Sequence, residues 1–313
     1  MKCLVSVLIA TLVAGPMATQ AVSAAALDQK AVLVTGASTG IGRKVTERLA
    51  ADGYFVYAGA RKEEDLKALG AIKNVQAVRL DVTKVEDIDA AVTTIQKGGR
   101  GLYGLVNNAG IATIAPFADM KMDEFDLVMA VNLYGPVRVT RAFLPLILAQ
   151  KGRITTIGSI SGILASPNLT AYSMSKHAIE AFTDSLAQQL TPLDVQVTVI
   201  EPGNYNSDIA KNALQRAGGE THFADPKISP LVADRSKYKD PDEVAAAVER
   251  ALFEPQPKRR YMVVPNQEEA EITIKKQLQQ LVQLNEGQPY TYDRQALIMM
   301  LDEALAGARP QSK

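Results

Sequence analysis

The chain predicts an α/β fold in which seven parallel strands form one doubly wound sheet, a single domain followed by a helical C-terminal extension. Two observations carry that prediction. Short runs rich in β-branched residues recur along the chain, and helical patterns fill most of the gaps between them. The first of these runs opens directly into a glycine-rich turn and then a helix, the context that a phosphate-binding loop requires. The length supports one large core: 313 residues, 47% of them hydrophobic, with no internal repeat or extended linker.

The first strand is Ala31-Val32-Leu33-Val34-Thr35, and the turn is Gly36-Ala37-Ser38-Thr39-Gly40-Ile41-Gly42. Ile41, Val45 and Leu49 then recur at helical spacing, and Gly53 closes the helix. In this arrangement Gly36 permits the tight turn and Gly40 lets the backbone approach a pyrophosphate. Gly42 lets the helix pack closely, with the phosphates at the helix N-terminus, where amide N–H groups and the dipole favour negative charge. Further strands are expected at Tyr54–Ala58, Val75–Leu80, Leu102–Val106, Arg153–Ile157, Val195–Ile200 and Arg260–Val264. The order is Rossmann-like, and a nucleotide belongs across the carboxyl ends of the strands, at the switch point of the sheet.

Tyr172-Ser173-Met174-Ser175-Lys176, with Ser159 thirteen residues upstream, carries the chemistry. A phenol titrates near pH 10, so Tyr172 needs help to act as an acid–base group at neutral pH. Four residues apart on a helix, the Lys176 ammonium sits beside the ring. At ~4 Å and an effective dielectric of ~20 that charge is worth about 4 kcal/mol, roughly three pKa units. Ser159 supplies a hydroxyl for the substrate oxygen that Tyr172 protonates or deprotonates.

With this Tyr-x-x-x-Lys pentapeptide, Ser159, and a loop written Gly-x-x-x-Gly-x-Gly, the chain resembles the short-chain dehydrogenase/reductase family from about Lys30 to Val264. The resemblance implies further roles. Ser38, Thr39 and Ile41 line the cofactor with the loop glycines, and Asp81-Val82 reaches the adenine at the end of the third strand. Asn108, Ala109 and Gly110, in Asn107-Asn108-Ala109-Gly110, border the cofactor after the fourth strand. Asn132 breaks a helix and holds a water linked to the lysine. Pro202-Gly203 abuts the nicotinamide, and Ser207 is a later contact. Tyr172 and Lys176 serve the cofactor as well as the chemistry. The segments Gly101–Val106, Ala178–Leu186 and Ile200–Tyr205 look most like the steroid and retinol (17-beta-hydroxysteroid-type) branch. That branch implies a hydrophobic alcohol or its carbonyl as substrate, with Asn204 to about Lys239 as the substrate loop.

Cofactor choice turns on the end of the second strand. NAD-preferring members place an acidic residue there, which accepts hydrogen bonds from the ribose hydroxyls and repels a 2′-phosphate. Here Ala60 is followed by Arg61 and Lys62, so NADP(H) is expected, with Arg61 as the phosphate clamp and NAD(H) as the alternative. The competing reading pairs these cations with Glu63, Glu64 or Asp65 at a solvated helix start. Two other functions compete with this reading. A nucleotide-sensing protein without catalysis usually loses the Tyr or the Lys, and a sugar-nucleotide epimerase or dehydratase spaces its glycines Gly-x-x-Gly-x-x-Gly.

Formal net charge is zero, so no basic face argues for nucleic acid. The two histidines, His177 and His222, show no metal-ligand pattern. His177 directly follows Lys176 and should point away from the Tyr172–Lys176 face. Residues 1–26 read as a signal peptide: Lys2, an apolar stretch Leu4–Ala14, then small residues around Ala24 and Ala26. Export is therefore expected, with an N-terminal membrane anchor as the alternative. Residues 27–265 form the dehydrogenase-like domain. Residues 266–313 form two amphipathic helices, through Ile272, Leu278, Leu281 and Val282 and then Leu297, Ile298, Leu301 and Leu305, either packed on the domain edge or lying as a lid over an apolar pocket. A hydrophobic small molecule is the expected partner, and a homo-oligomer is compatible with the sequence.

Overall fold

The computed structural model describes residues 29–216 and 238–308. The signal-peptide segment, His222 and most of the expected substrate loop lie outside these residues. Seven strands form the sheet: β1 Ala31–Val34, β2 Phe55–Ala60, β3 Val75–Arg79, β4 Gly104–Asn107, β5 Arg153–Ile157, β6 Gln196–Pro202 and β7 Arg260–Val263. Their order is β3-β2-β1-β4-β5-β6-β7, and every pairing is parallel. The chain turns back between β1 and β4, so a crevice opens at their carboxyl ends.

Helices cover both faces. On one lie α1 Gly40–Ala51, α2 Glu63–Gly70 and, later in the chain, Asp242–Phe253; their Val45, Leu49, Leu69 and Val248 are fully buried against Val32, Val34 and Val56. On the other lie α3 Val85–Lys97 and the helices Gly135–Ala149 and Thr170–Leu190, packing Ile95, Phe143, Ile147 and Ala187 on Leu33, Leu105 and Ile154. Between them come α4 Met122–Met129 and a π-turn, Ala130–Tyr134, that feeds α5 Gly135–Ala149. The helix Thr170–Leu190 is α6, Ile209–Arg216 is α7 and Asp242–Phe253 is α8.

Six strands differ from the sequence expectation, β1, β3 and β7 by a single residue at one end; the three that move by two residues do so for one reason. β2 runs to Ala60 rather than Ala58 because Gly59 and Ala60 pair with Val78 and Arg79 of β3. β6 runs through Pro202 because that residue pairs with Val263, and a proline at a strand's end forfeits only a donor. β4 begins at Gly104 rather than Leu102 and extends to Asn107, which pairs with Thr156. Partner strands settle the ends, and a partner is invisible in a local window.

The amino end of the sheet is closed by aromatic rings. Tyr54 and Phe253 stack at 3.7 Å between centroids, 2° from parallel, and Tyr103 adds a second face to Phe253 at 5.6 Å. The Lys30 ammonium sits 3.9 Å from the Tyr103 ring centroid.

The tail forms the two expected helices, α9 Gln267–Asn285 and α10 Arg294–Ala308. Of α9 only Glu269 and Thr273 are buried, while Leu278, Leu281 and Val282 are roughly half exposed. Leu301 and Leu305 of α10 are exposed too. The helices therefore do not pack their apolar stripes on the domain edge; only the first two turns of α9 are embedded, through Glu269 and Thr273. Among the described residues no helix is long and apolar enough to cross a membrane.

Candidate active site

At the carboxyl end of β1, Gly36 takes a left-handed conformation, φ +64°, and a Cβ there would lie 2.8 Å from the Ala109 Cα. Both constraints require glycine. The turn is locked to the strand beside it. Thr35 Oγ1 accepts from the amides of Asn108 and Ala109, each at 3.0 Å, and Asn108 Nδ2 donates to the carbonyls of Thr35 and Gly36 at 2.9 and 3.0 Å. Gly42 matters for a reason slightly different from the one expected: a Cβ there would strike the Gly36 carbonyl and the Asn108 amide, so it clears room for the turn rather than for the strand. Gly40 opens α1 and faces Ser207, whose Cβ would lie 3.4 Å from an added methyl. The expected later contact is thus brought to the loop.

The catalytic candidates come from α6 and the turn after β5. Lys176 is 5% exposed and its Nζ donates to the Ile157 carbonyl at 2.7 Å. It lies 5.6 Å from the Tyr172 ring centroid, so the ammonium and the ring share one side of the helix as the spacing predicts. Burial pulls its ammonium pKa down to about 8, against the upward pull of the Glu180 carboxylate. Ser159 caps the short helical turn Ile160–Gly162, its Oγ accepting from the Ser161 amide at 3.0 Å. That oxygen keeps its own proton to donate. His177 turns away as expected, with Nδ1 2.9 Å from the Ser173 carbonyl and its ring exposed.

Asn132 sits in the π-turn, the expected break between two helices. Its Oδ1 accepts from the Ile111 amide at 2.9 Å, leaving a second lone pair, and Nδ2 donates to the Ile111 carbonyl at 2.8 Å and to Ser175 Oγ at 3.1 Å. Ser175 in turn donates to the Tyr172 carbonyl at 2.7 Å. Asn132 therefore braces the α6 backbone from behind the cavity wall, which reaches Gly110 and Lys176 among the described residues.

One cavity of about 1080 Å³ joins these parts. Gly36, Ser38, Thr39, Gly40 and Ile41 line one wall, and Ser159, Tyr172 and Lys176 another. Pro202, Gly203 and Ser207 lie along it, as do Asn108, Ala109 and Gly110. Ala60, Arg61, Asp81 and Val82 form its far end. Asp81 lies just past β3 rather than in it, and its carboxyl is partly desolvated. Two hydrogen bonds from Thr83 and the Arg61 guanidinium outweigh that burial and hold its pKa below the usual range. Arg61 is 66% exposed and lies 3.9 Å from Asp81. Lys62 instead meets Glu64 at 3.4 Å, so the solvated pairing holds for the lysine and not for the arginine.

Several working residues escaped the sequence. Thr35 and Ser175 lie inside the motifs, yet spacing gives no sign of which backbone groups they hold. Glu201 is buried beside Glu180, with Arg260 Nε 3.3 Å from Glu201 and 3.1 Å from Glu180. Burial, then the neighbouring Glu180, pushes the Glu201 carboxyl up to about 8. Glu269 is the least expected: it stands at the start of α9 yet accepts from the Asn204 amide at 2.8 Å. Asn266-x-x-Glu269 is a capping pattern legible in the sequence, but that marks only a helix start.

A family model described as short chain dehydrogenase matches residues 30–218. The mitochondrial D-beta-hydroxybutyrate dehydrogenase of Bos taurus is 39% identical over 197 residues, which are 60% of this chain and 57% of the bovine protein. The chain thus spans little more than half the length of that relative. The NADPH-dependent 3-dehydrocapnine reductase of Ornithobacterium rhinotracheale is 34% identical over 250 residues, 74% of this chain and 87% of that one. Retinol dehydrogenase 5 of Mus musculus is 32% identical over 254 residues, 74% of this chain and 79% of its own. Among solved structures, a short chain dehydrogenase from Burkholderia cenocepacia in complex with NADP superposes with TM-score 0.66 at 25% identity, covering 84% of this chain and 99% of that one. One from Burkholderia phymatum in complex with NAD gives TM-score 0.71 at 22% identity, covering 85% and 99%, a likeness of fold.

Proposed function

The chain belongs to the short chain dehydrogenase family, and we propose that it is an NADP(H)-dependent oxidoreductase interconverting a hydrophobic alcohol and its carbonyl. The observation that carries this reading is a single cavity walled on one side by the glycine turn and on the other by Ser159, Tyr172 and Lys176. A nicotinamide dinucleotide fits the cradle: the Gly36 and Gly42 positions leave no room for a Cβ, and the N-terminus of α1 faces the same space. When bound, such a cofactor supplies or accepts hydride at the substrate carbon. In the reducing direction Tyr172 gives its phenolic proton to the carbonyl oxygen, Ser159 donates a hydrogen bond to that oxygen, and Lys176 stabilises the phenolate that remains. Tyr172 then regains a proton from solvent. Ala60 leaves a 2′-phosphate unopposed and Arg61 lines that end of the cavity, which supports NADP(H), as does the printed NADPH dependence of the 3-dehydrocapnine reductase.

Substrate class rests on the resemblance to the retinol dehydrogenase and on apolar groups such as Ile160, Leu164, Leu169 and Ile209 in the cavity wall. A second reading, a short 3-hydroxy acid, is favoured by Arg216, which also lines the cavity, and by the hydroxybutyrate relative. Arg216 already lies 3.5 Å from Glu124, which weakens it as a carboxylate anchor. The test is a cofactor-oxidation screen of the purified protein with NADPH and NADH against steroids, retinoids, simple ketones and a short 3-oxo acid. Turnover of the apolar carbonyls with NADPH is expected; turnover of the 3-oxo acid alone would select the second reading. We also propose export through the N-terminal segment, so protein recovered from its own host should begin between Ala24 and Asp28.

A further inference from the structure

The first turn of α9 is embedded in the domain for a reason that bears on the active site. Asn266 caps the helix by accepting from the Glu269 amide at 2.9 Å, and its Nδ2 returns a contact to Glu269 Oε1 at 3.2 Å. The other carboxylate oxygen, Oε2, accepts from the backbone amide of Asn204 at 2.8 Å. The side chain lies so close over Gly203 that a Cβ on that glycine would fall on the carboxylate. Glu269 is 9% exposed, and among the described residues no cation forms an ion pair with it. A buried carboxylate held only by neutral donors is costly unless those donors are fixed. The turn it grips, Pro202-Gly203-Asn204, forms part of the cavity wall. One helical turn beyond Glu269, Ile272 lines the same cavity.

We propose that Glu269 is a positioning residue that holds the Pro202–Asn204 turn at the depth the cofactor requires, so that the C-terminal extension is a wall of the active site and not an appendage to it. This rests on the proposed dinucleotide site. The carboxylate lies beyond residues 30–218, where the family match ends, and reaches back to the Asn204 amide within it. Without it, the Asn204 amide loses this acceptor and the turn can move into the space that Gly203 keeps open.

The test measures NADPH binding by fluorescence titration of the full chain, beside steady-state turnover. Glu269→Ala is expected to weaken NADPH binding about tenfold and to raise the KM for NADPH more than it lowers kcat. Glu269→Gln keeps an acceptor oxygen of the same reach and should restore binding to within about threefold. A role confined to stability would lower the melting temperature of both variants and leave the dissociation constant alone. Should Glu269→Ala lose its fold, Asn266→Ala frees the carboxylate from its cap and is expected to weaken binding about threefold. Unchanged NADPH affinity in Glu269→Ala, or in Asn266→Ala where the first variant does not fold, overturns the inference. Unmodified protein that binds neither NADPH nor NADH overturns the proposed function itself, a result that cannot be confused with the former.

Discussion

The two ends of the sheet are built from opposite materials. At the carboxyl ends, β1, β2 and β4 run into Gly36, into Ala60-Arg61 and into Asn108, small or polar groups around an open cavity. At the amino ends, the residues before β2 and β4, Tyr54 and Tyr103, stack their half-buried rings with Phe253. The parallel arrangement makes this division natural, because every strand delivers its exit loop to one side and its entry loop to the other. Beside the cavity, the buried Lys176 ammonium donates to a backbone carbonyl and the buried Glu269 carboxylate accepts from a backbone amide, charged groups held there at a local cost.

Substitutions at the two ends should therefore separate activity from stability. Tyr172→Phe removes one oxygen from the open end. Turnover should fall by about 10² to 10⁴, with NADPH affinity and melting temperature held, since only acid–base chemistry is lost. Steady-state rates beside a binding titration decide it, and substantial residual turnover would remove Tyr172 from the mechanism.

Lys176→Met carries the contrast further. Its ammonium titrates near 8 in the folded protein, below the 10.5 of an exposed lysine. Folding therefore disfavours the charged form; the cost, roughly 3 kcal/mol, is present below pH 8 and fades as the pH rises from about 8 towards 10.5. Turnover should collapse in the variant while thermal stability at pH 7 holds or rises, within what the lost Ile157 hydrogen bond takes back. In the unmodified enzyme, catalysis that needs the ammonium should decline as pH rises through about 8, visible in the pH dependence of kcat/KM.

Phe253→Ala is the reciprocal case at the sealed end. Loss of the stacked ring should cost about 3 kcal/mol in denaturant unfolding, with no change in the NADPH dissociation constant. A large loss of affinity here would show that the two ends are not independent.

Arg61→Ala is the mildest of the four. With 66% of the side chain exposed and Asp81 3.9 Å away, the clamp is not preorganised, so the loss in NADPH affinity should lie near the lower end of ten- to a hundredfold, with NADH little changed. Equal use of both cofactors by the unmodified enzyme would make Arg61 a surface charge.

By itself the sequence determined the parts whose physics is local. The glycine turn is legible because Gly36 needs a left-handed backbone and Gly42 a missing Cβ. The pairing of Tyr172 with Lys176 is legible because four residues span one helical turn. Seven strands were readable from their β-branched runs, since each run is long enough to be recognised without its neighbours. What only the tertiary structure decided is how distant pieces meet. The ends of β2, β4 and β6 were set by the strands beside them. Asn132 turned out to brace Ile111 and Ser175, because a side-chain amide bonds whichever backbone the fold brings to it. The tail showed amphipathic spacing and no destination, for hydrophobic periodicity records which residues share a helix face and not what that face meets. Glu269 reached Asn204 across 65 residues of chain, a contact carried by no local pattern.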